Sequence, residues 1–201
     1  MLPSRIIKEE YLTVLVIWSV QALDKSCLCV VPSIAPTRKS IGTFSRYNMN
    51  IFILDYDLEK SAKYHCDQHV NKMILEAAQI ICTVNHIKNN HIVPIPYKPT
   101  HSKHPCTLWA TKSLENYLYV LDYAHYLNEE AKSRYNKSTN HKSFDVLMNL
   151  HFPDFDLVTR TEFARAMPDE FKQMPDIVEA YRAYYKTKEF TTWKNNKPDW
   201  Y

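Results

Sequence analysis

One glycine, Gly42, stands among 201 residues, and none follows it. Primed hairpin turns, P-loops and dinucleotide fingerprints need backbone at positive φ, which glycine supplies most cheaply. Their makings are missing, so sheet-rich and nucleotide-loop folds are disfavoured. A long hydrophobic run is also missing: residues 11–23, YLTVLVIWSVQAL, fall short of the roughly 20 residues that cross a bilayer as a helix. Glu9 and Glu10 spoil the basic start of a signal peptide, and no clean small-residue cleavage site follows. The five cysteines, at irregular spacings, give no disulfide framework and read as reduced intracellular thiols.

A surplus of either charge is absent from the body of the chain. Of 25 Lys/Arg and 22 Asp/Glu, residues 1–48 hold six and three, leaving nineteen of each in 49–201. Nucleic acid would have to be met by a local basic patch, since there is no global field.

What is present is helical. The expected fold is all-α: a single compact helical domain over 49–201 with long proline-containing loops. Residues 1–48 are expected to be a non-domain extension: a mis-assigned start before Met49-Asn50-Ile51-Phe52, a targeting segment, or a genuine extension. Asp57 suits the N-cap of a helix through about Tyr64, and Asp67 that of a central helix to about His86. Residues 51–54 suit a short extended segment. The prolines between Lys88 and Pro105 forbid helix there. A helix opening at Thr107 or Thr111 runs on to Tyr135, a shorter one follows His141, and another spans about Asp176 to Tyr185.

The central helix carries a narrow polar stripe. His65, His69, Lys72, Glu76 and Gln79 are spaced by four, three, four and three residues, which stacks them on one face. Met73, Ile74, Leu75, Ala77, Ala78, Ile80 and Ile81 fill most of the remaining circumference, so the stripe lines a pocket wall. A carboxylate in apolar surroundings has its pKa raised, and a lysine one turn away draws it back down. Lys72 and Glu76 therefore suit an acid/base couple, with His69 beside them. The same spacing also suits an ordinary helix salt bridge.

Two further stretches have chemical potential. Tyr97-Lys98-Pro99-Thr100-His101-Ser102-Lys103-His104-Pro105 joins cations and imidazoles at a helix N-terminus, a setting for phosphate. Alternatively it is a rigid connector with Trp109 in the core. Near the C-terminus Tyr181, Arg182, Tyr184, Tyr185, Lys186, Trp193, Lys194, Lys197, Trp200 and Tyr201 interleave rings with cations, for base stacking or simply for docking on the core. His65, Cys66, His69, His104 and Cys106 include enough soft donors for zinc, but finger or ribbon spacing is lacking, and no metal or other cofactor is expected.

With these residues in hand, the chain resembles the pyrimidine-dimer DNA glycosylases, the small all-helical phage endonuclease V type and its bacterial relatives. The resemblance rests on Asp67-Gln68-His69-Val70 followed by Glu76, and on His101-Ser102-Lys103-His104-Pro105 with Trp109. It rests also on Asn116-Tyr117-Leu118 through Arg134-Tyr135, and on Lys197-Pro198-Asp199-Trp200-Tyr201. Uncharacterised phage and virus proteins that begin M-N-I-F and carry an H-P-C loop are similar too. What the resemblance implies is a bifunctional repair enzyme: an N-terminal α-amine attacks the deoxyribose C1′ and forms a Schiff base, and the glutamate drives proton transfers through to β-elimination. Glu76 matches that glutamate. Leu75 and Gln79 stand where the family has basic residues, and Asn50 after Met49 normally blocks removal of the initiator methionine. Lys72 is then a candidate to replace the amine.

The expected function is thus a DNA-repair glycosylase with abasic-site lyase activity on damaged pyrimidines. Its partner is damaged duplex DNA, and the protein is a monomer with no membrane association. The expected location is intracellular, in an infected host cell, or in the nucleus or an organelle if the N-terminal segment is a targeting signal. The expected DNA contacts are Tyr97, Lys98, His101, Lys103, His104, Arg134, Lys197, Trp200 and Tyr201. A non-catalytic nucleic-acid or protein-binding module and a metal-dependent nucleotide or nucleic-acid hydrolase are the alternatives.

Overall fold

The computed structural model describes residues 49–88, 94–189 and 191–201, and among these every regular element is a helix. The expectations for residues 1–48 lie outside the described residues. The helices are α1 (Leu58–Tyr64), α2 (Asp67–Ile87), α3 (Pro105–Lys112), α4 (Leu114–Tyr135), α5 (Lys142–Met148), α6 (Asp169–Lys172) and α7 (Ile177–Lys186). The all-α expectation holds, and no helix among the described residues is long and apolar enough to cross a membrane.

Capping chemistry explains most of the boundaries. Asp57 accepts from Lys60 N–H at the start of α1, and Asp176 from Glu179 N–H at the start of α7. The helix expected from Thr107 or Thr111 to Tyr135 is two helices. His104 caps α3 through Nδ1, with Pro105 in the first turn, where its fixed φ and missing N–H cost nothing. Ser113, extended at φ −148°, ends α3 and caps α4 by accepting from Asn116 N–H. The Asn116 side chain spans the break, donating to Trp109 O at 2.8 Å. Left-handed positions that glycine usually fills are taken by His101, Asn136 and Asn196, at φ 50°, 50° and 60°. Asn136 closes α4, because the short asparagine amide tolerates that conformation.

The core forms around α2 and α4, which pack along each other, with α1 against α4 and with α3 and α5 against α2. Val70, Ile74, Ala78, Ile80 and Ile81 of α2 are fully enclosed, as are Tyr117, Leu121, Tyr123 and Leu127 of α4. Burying each large aliphatic side chain contributes about 1.5–3 kcal/mol relative to exposure. Residues 51–54 run extended and buried through this core. With no strand beside them, their backbone is satisfied by side chains: Leu54 N–H donates to Ser61 Oγ, and Leu54 O accepts from Arg182 Nε.

Candidate active site

Helix α2 opens at Asp67, and the preceding Cys66 occupies the N-cap position with no side-chain hydrogen bond. Asp67 was expected to be that cap; its carboxylate is used elsewhere. Oδ1 accepts from Arg134 Nη1 at 3.0 Å and from Lys194 N–H at 3.1 Å, while Oδ2 accepts from Thr192 Oγ1. Gln68 Nε2 donates to Thr192 Oγ1, and Thr192 O accepts from Asp67 N–H. His69 Nδ1 is 2.7 Å from the Tyr185 hydroxyl. The first three residues of the helix thus fasten the C-terminal segment and α7 to it.

The Tyr185 hydroxyl also accepts from Cys66 N–H at 3.0 Å and shares a hydrogen with His69 Nδ1. Burial first, then the charges of Lys72 and Lys188, push the His69 pKa down to about 4. Phe52 stacks on the imidazole with centroids 5.2 Å apart. His65 is wholly enclosed between Ser61 O and the Tyr123 hydroxyl, and burial lowers its pKa to about 3. It is a neutral core residue at the foot of the stripe.

Two turns further on, Glu76 is 5% exposed. Its Oε2 accepts from the backbone N–H of Asn50 at 2.9 Å, and Lys72 Nζ lies 3.4 Å from Oε1. Desolvation raises the carboxyl pKa, opposed by Lys72, the Asn50 N–H and Lys188. A buried carboxyl whose pKa is raised by desolvation, touched by a half-exposed ammonium, is suited to giving and taking protons. Asn50 is held in turn: its Nδ2 donates to Ala166 O at 2.7 Å, and its Oδ1 accepts from Ile51 N–H.

Lys188, two residues beyond α7, completes the group and was not singled out by the sequence. Its ammonium lies 3.8 Å from the Tyr184 ring centroid and 5.8 Å from that of Phe52. Its pKa is lowered by burial and by Lys72, against Glu76. Asn50 was likewise not singled out as a site residue, and Tyr185, expected as a stacking or core-docking ring, instead holds His69. The spacing Tyr181, Tyr184, Tyr185, Lys188 along one helical face was the available signal for α7. Leu75, beside Glu76, is 38% exposed, and Gln79 is half-buried.

The expected DNA contacts divide. Lys98, His101 and Lys103 are exposed, and their loop is pinned to α2 where Thr100 N–H donates to Thr83 Oγ1, which itself donates to Thr100 O. Thr83 is seven residues from Glu76, about 10 Å along the helix. Tyr97 is half-buried, its hydroxyl on Ser143 Oγ. His104 is buried by its capping role. Arg134 does not face outward: it is 2% exposed and its guanidinium is bound to Glu130, Asp67, His65 O and Lys63 O. That is a structural position, because no donor remains for a phosphate. Lys197 is exposed, whereas Trp200 packs edge-on against Tyr64 and Tyr185, and Tyr201 bonds to Thr191.

Among the described residues no three His, Cys, Asp or Glu side chains are grouped to hold a metal ion. Cys106 Sγ donates to Asn50 Oδ1 at 3.8 Å, and burial pushes its thiol pKa up to about 12.

Residues 49–143 match the family model described as pyrimidine dimer DNA glycosylase. No curated protein and no solved structure matches the chain.

Proposed function

Residues 49–143 form a domain of the pyrimidine dimer DNA glycosylase family, and from that premise we propose that the chain is a DNA-repair glycosylase with an associated abasic-site lyase activity. The observation that carries the reading is Glu76: a buried carboxyl held between the Asn50 N–H and the Lys72 ammonium, inside a mostly apolar helix. Such a group protonates a departing base and then removes the C2′ proton that starts β-elimination. The substrate is duplex DNA with a damaged pyrimidine, and the sugar is reached by extruding a nucleotide from the stack.

The nitrogen seated on Glu76 belongs to residue 50 and is an amide while Met49 precedes it. A nucleophilic amine comes either from processing before residue 50 or from a lysine beside the carboxyl. Exposed Lys98, Lys103 and Lys197 supply phosphate contacts. A purely DNA-retaining module would use the same exposed cations but leaves the buried carboxyl without a role. The metal-dependent hydrolase loses its support, since the donors it needs are not grouped among the described residues.

The test is borohydride treatment of the full chain on dimer-containing and abasic duplexes. A covalent protein–DNA product and strand cleavage are expected. Glu76→Gln is expected to lower cleavage by at least a hundredfold while still retaining DNA. Retention with a steep salt dependence but neither product would sink the enzyme reading in favour of the binding module.

A further inference from the structure

We infer, resting on the DNA-repair reading above, that Leu75 is the wedge that enters the base stack when a nucleotide is extruded toward Glu76. Between Asp67 and His86 the exposed positions of α2 are Gln68, Lys72 and Leu75, spaced by four and three residues along one stripe. Leu75 is the apolar member of that stripe, 38% exposed in a helix whose other large aliphatic side chains up to Val84 are enclosed. It directly precedes Glu76, and the two side chains project about 100° apart around the helix. One reaches solvent while the other stays buried.

Single exposed leucines are ordinary on protein surfaces. What distinguishes this one is that cations flank it along the helix. Lys72 stands about one turn before it, half-exposed and 3.4 Å from the Glu76 carboxylate. Farther on, about 12 Å along the axis, Thr83 Oγ1 accepts from Thr100 N–H and fixes the loop with exposed Lys98, His101 and Lys103. A duplex laid along this face finds ammonium groups for its phosphates on both sides of a leucine. Other exposed apolar side chains lack that setting: Ile87 is the last residue of α2, and the Tyr56 hydroxyl is given to Asp176.

A nucleotide turned out of the duplex leaves a gap whose neighbouring bases restack unless something fills it. Leucine is among the side chains that proteins insert between base steps, because it replaces the lost ring contacts and needs no hydrogen-bond partner. Leu75 is then a positioning residue that acts on the stack and not on the reacting sugar. It matters most where the damaged base is paired and stacked, and least where it is already unpaired.

The experiment places 2-aminopurine 3′ to the lesion in a duplex and follows its fluorescence, which rises on unstacking, as the full chain is added. The chain has Glu76→Gln, to keep the DNA whole. A rise of about threefold is expected with Leu75 and with Leu75→Met, and less than about a quarter of it with Leu75→Ala. Leu75→Lys should bind more tightly at low salt yet brighten the probe no more than the alanine variant. With Glu76 restored, Leu75→Ala should raise by about tenfold the ratio of cleavage of a lesion in unpaired DNA to cleavage of the same lesion in paired duplex. A general loss of folded protein does not move that ratio. An alanine variant that brightens the probe as fully as leucine, or that leaves the ratio unchanged, overturns the wedge, as does a probe that stays dark with Leu75 in place. Brightening that depends on Leu75 in a wild-type chain that cleaves nothing overturns the lyase reading and upholds the wedge.

Discussion

Replacing Arg134 by alanine separates a structural arginine from a DNA-binding one. All five guanidinium N–H groups are used: Nε and Nη2 on Glu130 Oε1 at 2.9 and 2.7 Å, Nη1 on Asp67 Oδ1 and His65 O at 3.0 and 2.8 Å, and Nη2 also on Lys63 O at 3.0 Å. Removing the arginine strands a buried Glu130, a partly buried Asp67 and two carbonyls. Losing one partner of a buried pair costs about 3–5 kcal/mol. For a domain of this size each kcal/mol is worth roughly 2–4 °C, so the melting temperature should fall by about 6–20 °C. The assay is thermal unfolding followed by circular dichroism. A cycle with Glu130→Gln should recover part of the loss, since it removes the stranded charge. An Arg134→Ala protein that melts within about 2 °C of wild type, and whose DNA affinity depends less steeply on salt by about one counterion, would refute the argument and return Arg134 to the phosphate surface.

Two further expectations concern pH, and they have opposite signs. His65 and His69 are held neutral in the fold, at about 3 and 4, but protonate at about 6.5 once unfolded. The unfolded chain therefore binds more protons between those values, and stability should fall as pH drops below about 6.5; urea unfolding at intervals from pH 7 to 4.5 measures it, and a flat profile contradicts it. Glu76 has a raised folded pKa, so the native state binds more protons than the unfolded one above about 4.5, and wild-type stability is lost as pH rises through that window. Glu76→Gln should accordingly be more stable than wild type at pH 8, with the difference closing toward pH 4.5; a variant less stable at pH 8 would mean that Lys72 and the Asn50 N–H more than offset the burial of the charge.

Much of the fold was legible because it is written in local chemistry. The absence of glycine removed sheet turns, the 3.6-residue pattern gave α2 and α4, and Asp57 and Asp176 marked helix starts. The break at Ser113 was hidden, since apolar periodicity runs straight through it and only the cap bond to Asn116 N–H declares it. Glu76 was legible as a carboxyl among apolar neighbours on one helix. Lys188 and Asn50 were not, because their approach to Glu76 depends on contacts more than a hundred or about two dozen residues distant in sequence. Arg134 was misread for the same reason: charge and position say surface, and only the meeting of α4 with the turn between α1 and α2 buries it.

The structure also divides the family motif by role. Asp67, Gln68 and His69 hold residues 185–194 against the start of α2, so that part of the pattern assembles the site. Glu76, two turns later, is the part with chemical capacity. The family match ends at residue 143, yet residues that hold the partners of Glu76 lie beyond it: Ala166 anchors Asn50, and Tyr185 fixes His69. A segment outside the matched region therefore holds the partners of a carboxyl inside it and adds a smaller charge of its own. Transplanting residues 49–143 alone removes the Ala166 anchor of Asn50 and the Tyr185 partner of His69, and should leave Glu76 wetter, with its pKa back toward the ordinary carboxyl value, because desolvation is the largest cause of the shift.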